Sequence, residues 1–251
     1  MKPAVAVVLA AGRGTRMNSD LPKVLHPVCG RPMIEFVLDA LQSAGINHSI
    51  VVVGYEADLV RQTLAHRSDV AFADQIEQLG TGHAVMMCRG ALRDHEGPVL
   101  VVTGDSPLAQ PNSISALLAA FYRDQPAAIL GTLHCDDPAG LGRIVRDTNG
   151  EFQGIVEEKD ASDRQKQITE VNMSTYVFDC HELLHALDQL DNQNQQQEYY
   201  ITDCPGILKN EGKDVQALAV LKPCEGLSIN TIEELASVSN EMRRMGYPCV
   251  N

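Results

Sequence analysis

The sequence lacks any C-x-x-C pair: its seven cysteines (29, 88, 135, 180, 204, 224, 249) are odd in number and widely scattered. Neither a disulfide framework nor a zinc cage is suggested, and the thiols read as reduced and mostly buried in a cytoplasmic protein. No Lys/Arg run occurs, and 33 acidic against 20 basic residues leave a formal net charge of -13. Bulk electrostatic binding to nucleic acid or to an anionic membrane is therefore not expected. Any anionic ligand must be held locally, by a few placed cations, backbone amides or a metal. No apolar stretch approaches the ~18 residues needed to span a bilayer. The start, "MKPAVAVVLAAG", offers Lys2 alone as a basic region and runs at once into polar sequence, which does not suit a secretory signal. A Walker loop, G-x-x-x-x-G-K-[ST], is absent, as are an internal repeat, a long linker and any evident Ser-His-Asp or Cys-His arrangement.

What is present is a chain of 251 residues, 44% hydrophobic, long enough to bury one large core. Apolar runs of strand character at 4–9, 49–53, 70–73 and 98–105 alternate with helical patterns at 32–44, 56–65, from about Thr81 and from about Asn112. That rhythm predicts an α/β domain with a mostly parallel central sheet. In the first helix Met33, Val37, Leu38 and Leu41 share a face, Pro32 suits the first turn and Gly45 the C-cap. Beyond residue 127, strand patterns follow one another without helices between them, at 127–134, 142–147, 151–158 and 169–179, with Asn149-Gly150 as a hairpin signal. Helices are expected at 201–211 and 231–245. His181 and His185 lie four apart on a further helical stretch, which reads as a solvated face because no third ligand is in view. One domain over 1–251 is expected, with an α/β half at about 1–126, a β-rich part at about 127–230 and a terminal helix at 231–251.

The chemistry concentrates in "LAAGRGTRMNSDLPKVL", which follows the first strand. A dinucleotide fingerprint G-x-G-x-x-G would begin at Gly12 and Gly14, but Met17 stands at the third glycine and "NSDLPK" interrupts before any helix. What remains is a glycine loop with two cations, Arg16 and Lys23, spaced to reach different parts of a polyphosphate. An ordinary tight turn with solvated charges would read the same way.

"LAAGRGTRM" followed by "LPKVL" resembles the signature of the sugar nucleotidyltransferases, which join a nucleoside triphosphate to a sugar 1-phosphate. The resemblance implies a Rossmann-like nucleotidyltransferase fold, a mostly parallel mixed sheet flanked by helices with a small β-rich sugar-binding lobe. It also implies that Leu9, Ala10, Ala11, Gly12 and Gly14 lie over the triphosphate while Arg16 and Lys23 act catalytically on its charge. "DQIEQLGTGHAV" is similar to the segment that reads uracil in the bacterial N-acetylglucosamine-1-phosphate uridylyltransferases, which assigns Gln75, Gly80 and Thr81 to the nucleotide. Thr81 can equally cap the helix that follows. "VVTGDSPL" resembles a family segment whose aspartate holds magnesium. It places Gly104 and Asp105 at a strand exit, where α/β ligand sites lie, and the partner implied for Asp105 is Asn230 in "LSINTIEEL". "DDPAGLGRI", "GIVEEKDA" and "EVNMSTYVF" match in order the segments that bind the amino sugar, through Gly142, Glu157 and Asn172. Glu157 read alone would also suit a surface ion pair with Lys159. His83, beside the uracil segment, is available as a base.

The implied reaction is direct, in-line, Mg2+-assisted transfer from UTP to N-acetylglucosamine 1-phosphate, giving UDP-N-acetylglucosamine and pyrophosphate. Three features depart from the family pattern. Met173-Ser174 stand where Thr or Ala followed by Gly is common, Ser228-Ile229 replace Gly-Val, and Leu141 replaces Tyr. The hexapeptide-repeat β-helix of many family members has no counterpart here, so its acetyltransferase activity is not expected. A transferase for another sugar phosphate, a non-catalytic UDP-sugar-binding module and a redox enzyme stay open at this point, and no protein partner is indicated.

Overall fold

The computed structural model describes residues 2–227 and 229–249; Ser228 and the ends of the expected 1–251 domain lie outside them. Four apolar strands, β1 (Val5–Leu9), β4 (Ser49–Val53), β5 (Val70–Asp74) and β6 (Pro98–Thr103), run parallel. Between the first two lie a two-residue hairpin, β2 (Pro27–Val28) and β3 (Arg31–Pro32), and helix α1 (Met33–Ser43). The crossovers onward are α2 (Ala57–Thr63), α3 (Thr81–Met86), the short α4 (Arg89–Leu92) and α5 (Pro111–Asp124).

The second half of the chain divides. Strands β7 (Ala128–His134) and β10 (Glu170–Asp179) join the main sheet, while β8 (Gly142–Arg146) and β9 (Phe152–Val156) branch from it. Helices α6 (Cys180–Asp188) and α7 (Asp203–Asn210), strand β11 (Val215–Leu218) and helix α8 (Ile232–Arg244) complete the described chain. The sheet has nine strands in the order β11-β7-β10-β6-β1-β4-β5, with β8 and β9 off that path. It is mixed because β10 runs antiparallel to both β6 and β7.

Alternation along β1 shows the layering. Val5 and Val7 pack with Val85, Leu92, Leu183 and Leu208 on one face, and Ala6 and Val8 pack with Ile34, Val37, Val60 and Phe121 on the other. Strands covered on both faces need continuous apolar sequence, which is why β1, β4 and β6 read as unbroken runs. In α1 the expected face splits: Val37, Leu38 and Leu41 enter the sheet-facing core, whereas Met33 turns with Phe36 to a separate cluster under α8. Pro32 sits at the N-cap of α1. Gly45 ends the helix at φ 89°, its N–H reaching the Gln42 carbonyl at 3.0 Å and the Ile46 N–H reaching that of Leu41 at 3.0 Å. The expected 149–150 turn forms with Gly150 at φ 82° and the Asp147 carboxylate accepting from the N–H groups of Asn149 and Glu151.

One expectation from composition is corrected. Cys29 and Cys249 form a disulfide across 220 residues, while Cys88, Cys135, Cys180, Cys204 and Cys224 are free. Cys29 is in the turn of the β2–β3 hairpin, and the chain leaving α8 folds back onto the same cluster. Spacing in the sequence carries no trace of that meeting. No helix among the described residues is long and apolar enough to cross a membrane.

Candidate active site

The parallel strands β1, β4, β5 and β6 all end on one edge, and a cleft of about 450 Å³ opens there. Its floor is the segment leaving β1. Leu9, Ala10 and Ala11 line it while still tied to the sheet, through Ala10 N–H to the Val52 carbonyl at 2.9 Å and Tyr55 N–H to that of Ala11 at 3.0 Å. Gly12 and Gly14 form the wall. Gly14 has φ 69°, and a Cβ there would stand 2.7 Å from the Cβ of Lys23, so glycine is required for the lysine to lie against the loop. Met17, the residue that spoils the dinucleotide fingerprint, is buried with Ile229 under α8 and anchors the loop to the segment before that helix. Gly104 is behind the cleft: its N–H donates to the Leu9 carbonyl at 2.8 Å, drawing the end of β6 against that of β1.

Four residues from three distant parts of the sequence converge at the cleft. Lys23 Nζ donates to Asp105 Oδ2 and, at 2.9 Å, to Asn230 Oδ1, which also accepts from an Arg16 guanidinium N–H at 2.9 Å. Asn230 is delivered by the capping box of α8, in which Thr231 accepts from Glu234 N–H and the Glu234 carboxylate accepts from the N–H groups of Asn230 and Thr231. A carboxylate and an amide oxygen thus meet on one cationic nitrogen, a hard-donor pair whose chemistry fits a divalent cation. No group of three or more His, Cys, Asp or Glu side chains placed to hold a metal ion is found among the described residues, so phosphate oxygens and water would have to complete its shell.

Gln75, Gly80 and Thr81 line the other end of the cleft. Gln75 is buried, and its amide nitrogen donates to the Gly80 carbonyl at 3.0 Å and lies 3.1 Å from His83 Nδ1. Both amide protons are thereby directed inward, leaving Oε1 as the acceptor available to a ligand. His83 spends a ring nitrogen on holding Gln75. The expected cap is not made by Thr81: Gly80 occupies that position at φ 109°, and the Thr81 hydroxyl accepts from Ile201 N–H at 3.1 Å. Tertiary demand from the 199–201 segment outcompetes local capping, for Gly82 N–H also donates to the Tyr199 carbonyl at 2.7 Å.

Gly142, Glu157 and Asn172 form a second cluster where β10 forks between β7 and β8. A Cβ on Gly142 would lie 3.6 Å from Asn172 Cβ and 3.7 Å from Glu157 Oε1. Asn172 donates to the buried Tyr176 hydroxyl at 2.7 Å and accepts from Ser174 N–H at 3.3 Å, so one amide proton remains for a ligand. Ser174, standing where glycine is common, adopts φ 52°, the left-handed conformation that explains the glycine. Glu157 makes no ion pair with Lys159, which donates instead to Gln196; its partner is the Thr202 hydroxyl at 3.0 Å. Burial raises the Glu157 carboxyl above the usual range, and burial beside Glu157 pushes Asp203 up to about 6.

Several contributors are assigned no role by the sequence. Gly54 has no room for a side chain between Ala11 and the Gln75 carbonyl, and so lets two lining segments of the cleft approach each other. Arg13, also on the lining, lies over the Tyr55 ring at 5.0 Å. The segment 198–202 touches both clusters, with Glu198 on the cleft and Thr202 on Glu157. His185 pairs with Glu211 at 3.0 Å, as the solvated reading of that helix face allows.

Residues 6–197 match the family of the MobA-like NTP transferase domain. The chain is 44% identical over 239 residues to the bifunctional protein GlmU of Streptococcus gordonii, covering 95% of this chain and 52% of that protein. To the GlmU of Listeria monocytogenes it is 42% identical over 244 residues, 97% of this chain and 53% of that one. The chain therefore spans about half the length of the curated relatives it matches. Among solved structures, a Bacillus anthracis protein described as a glucose-1-phosphate thymidylyltransferase, in complex with sucrose, superimposes with a TM-score of 0.80 at 18% identity, covering 99% of this chain and 96% of that one. A UDP-glucose pyrophosphorylase with UDP-glucose gives 0.78 at 16%, covering 98% and 100%.

Proposed function

This chain belongs to the MobA-like NTP transferase domain family, and on that premise we propose that it transfers the uridylyl group of UTP to N-acetylglucosamine 1-phosphate. The products are UDP-N-acetylglucosamine and pyrophosphate. The observation that carries the reading is the meeting of Lys23, Arg16, Asp105 and Asn230 beside the glycine loop, in a cleft also lined by the buried Gln75. In this reading the sugar phosphate oxygen attacks the α-phosphorus directly and pyrophosphate leaves from the opposite side. An anionic phosphate oxygen needs no strong base, which agrees with His83 being committed to Gln75.

Two polyanions must be brought together, so the residues act by positioning and by charge. Lys23 and Arg16 neutralise the triphosphate lying over Leu9, Ala10, Ala11, Gly12 and Gly14. The Gln75 acceptor and the Gly80–Thr81 backbone suit the edge of uracil. Glu157 and the Gly142 backbone receive sugar hydroxyls, while the free amide proton of Asn172 suits the acetamido carbonyl. Mg2+, held by Asp105 and Asn230, would supply charge neutralisation and a fixed orientation for phosphate oxygens. The enzyme would work in the cytoplasm without nucleic acid or membrane.

Pyrophosphate release is the test, with UTP, dTTP, CTP and GTP each paired against a panel of sugar 1-phosphates, with and without Mg2+. Release confined to UTP with N-acetylglucosamine 1-phosphate, and only with the metal, is the expected result. Binding of UDP-N-acetylglucosamine with no release under any pairing would overturn it.

A further inference from the structure

We infer that Lys23 is the resident counterion of the divalent-metal position, held between Asp105 and Asn230 until the polyphosphate of a nucleotide draws it away. Metal and nucleotide therefore enter as a coupled pair. The inference rests on the reading above for the identity of the polyphosphate.

One oxygen of Asp105 and the amide oxygen of Asn230, both suited to a divalent cation, are engaged by cations of the chain itself. Lys23 Nζ donates to Asp105 Oδ2 and to Asn230 Oδ1, and Arg16 donates to that same Asn230 oxygen. An amide oxygen has two lone-pair directions, and both point at cationic donors here. The Lys23 and Asp105 side chains are only 16% and 25% exposed, so water screens the charges incompletely. An ammonium and a divalent ion compete for this position, because like charges at hydrogen-bond range repel each other and draw on the same oxygens. Bare metal ions must therefore displace the lysine without offering it a new partner.

A triphosphate changes that balance. Lys23 and Arg16 line the same cleft as Gly12 and Gly14, so each cation can exchange a protein oxygen for a phosphate oxygen without leaving it. The inner part of the lysine stem lies against Gly14, which confines the exchange to its outer carbons and ammonium. As the cations move onto phosphate, Asp105 and Asn230 are released for the metal. Linkage requires reciprocity: whatever factor the polyphosphate adds to metal affinity, the metal adds to polyphosphate affinity.

The test uses the full chain and Mn2+ as the probe, with no nucleotide present, and reads free Mn2+ by electron paramagnetic resonance. K23M and K23Q remove the charge and keep most of the stem. Each is expected to bind Mn2+ roughly tenfold or more tightly than the unaltered chain. Adding D105N to K23M should abolish the gain, and R16M should show a smaller gain of the same sign. If circular dichroism shows the Lys23 variants unfolded, R16M alone decides. Mn2+ affinity unchanged or weakened in the folded variants would overturn the inference. A gain in a protein that forms no UDP-sugar would sustain it while removing the proposed reaction.

Discussion

Replacing Gly14 by alanine separates the positioning of Lys23 from mere loop stability. At φ 69° any L-residue carries a left-handed penalty of about 1–2 kcal/mol. The new Cβ would also lie 2.7 Å from Lys23 Cβ, well inside ordinary van der Waals contact, so the lysine stem must shift by roughly 1 Å. Such a shift breaks the 2.9 Å bond to Asn230 and misaims the ammonium. A misplacement of that size costs on the order of 100-fold in turnover, equivalent to about 2.7 kcal/mol of transition-state stabilisation. Gly45 supplies the control, since it has φ 89°, has nothing within 4 Å of the point where a Cβ would stand, and is remote from the cleft. Pyrophosphate release and urea unfolding should be measured on both variants. The expected result is a loss of stability in both, at least as large in Gly14→Ala, with kcat lowered only in Gly14→Ala. Equal kcat in the two variants would refute the role given to the glycine–lysine contact.

Asp105→Ala should reduce turnover far more than it weakens uridine nucleotide binding, and near-normal activity would sink its assignment. Because burial raises the Glu157 carboxyl, its ionised, accepting form is lost as pH falls through a value above the ordinary 4.5. The kcat/KM for the sugar phosphate should fall across that window, and Glu157→Gln should be low throughout and lack the inflection. Ser174→Gly relieves a positive φ of 52° and should stabilise the chain by up to about 1 kcal/mol in urea unfolding, with activity retained. Arg146→Met leaves the buried Glu170 carboxylate with only the Thr132 hydroxyl and should cost about 3 kcal/mol or more in the same measurement at neutral pH.

The alternation of buried strands with amphipathic helices through residue 124 is legible because both faces of a parallel sheet are covered, which forces unbroken apolar runs such as "VAVVL" and "SIVVV". The later elements are less so. β11 is a four-residue edge strand, half-exposed on alternate residues, and its pairing with β7 follows from contacts more than 80 residues apart. Likewise the four strand patterns after residue 127 carry no sign that β7 and β10 insert into the main sheet while β8 and β9 branch away. Register and insertion depend on which surfaces remain uncovered once the parallel half has formed.

For the site, the sequence by itself determined where chemistry could sit: glycines and polar side chains at the C-terminal ends of strands, in "LAAGRGTRM", "DQIEQLG" and "VVTGD". Tertiary structure decided what those groups do. Lys23 meets Asp105 and Asn230 across 82 and 207 residues, Thr81 serves Ile201 instead of its own helix, and Cys29 finds Cys249. A local pattern fixes backbone geometry within a few residues. Which charge faces which oxygen depends on how the strand ends and the α8 capping box are brought together.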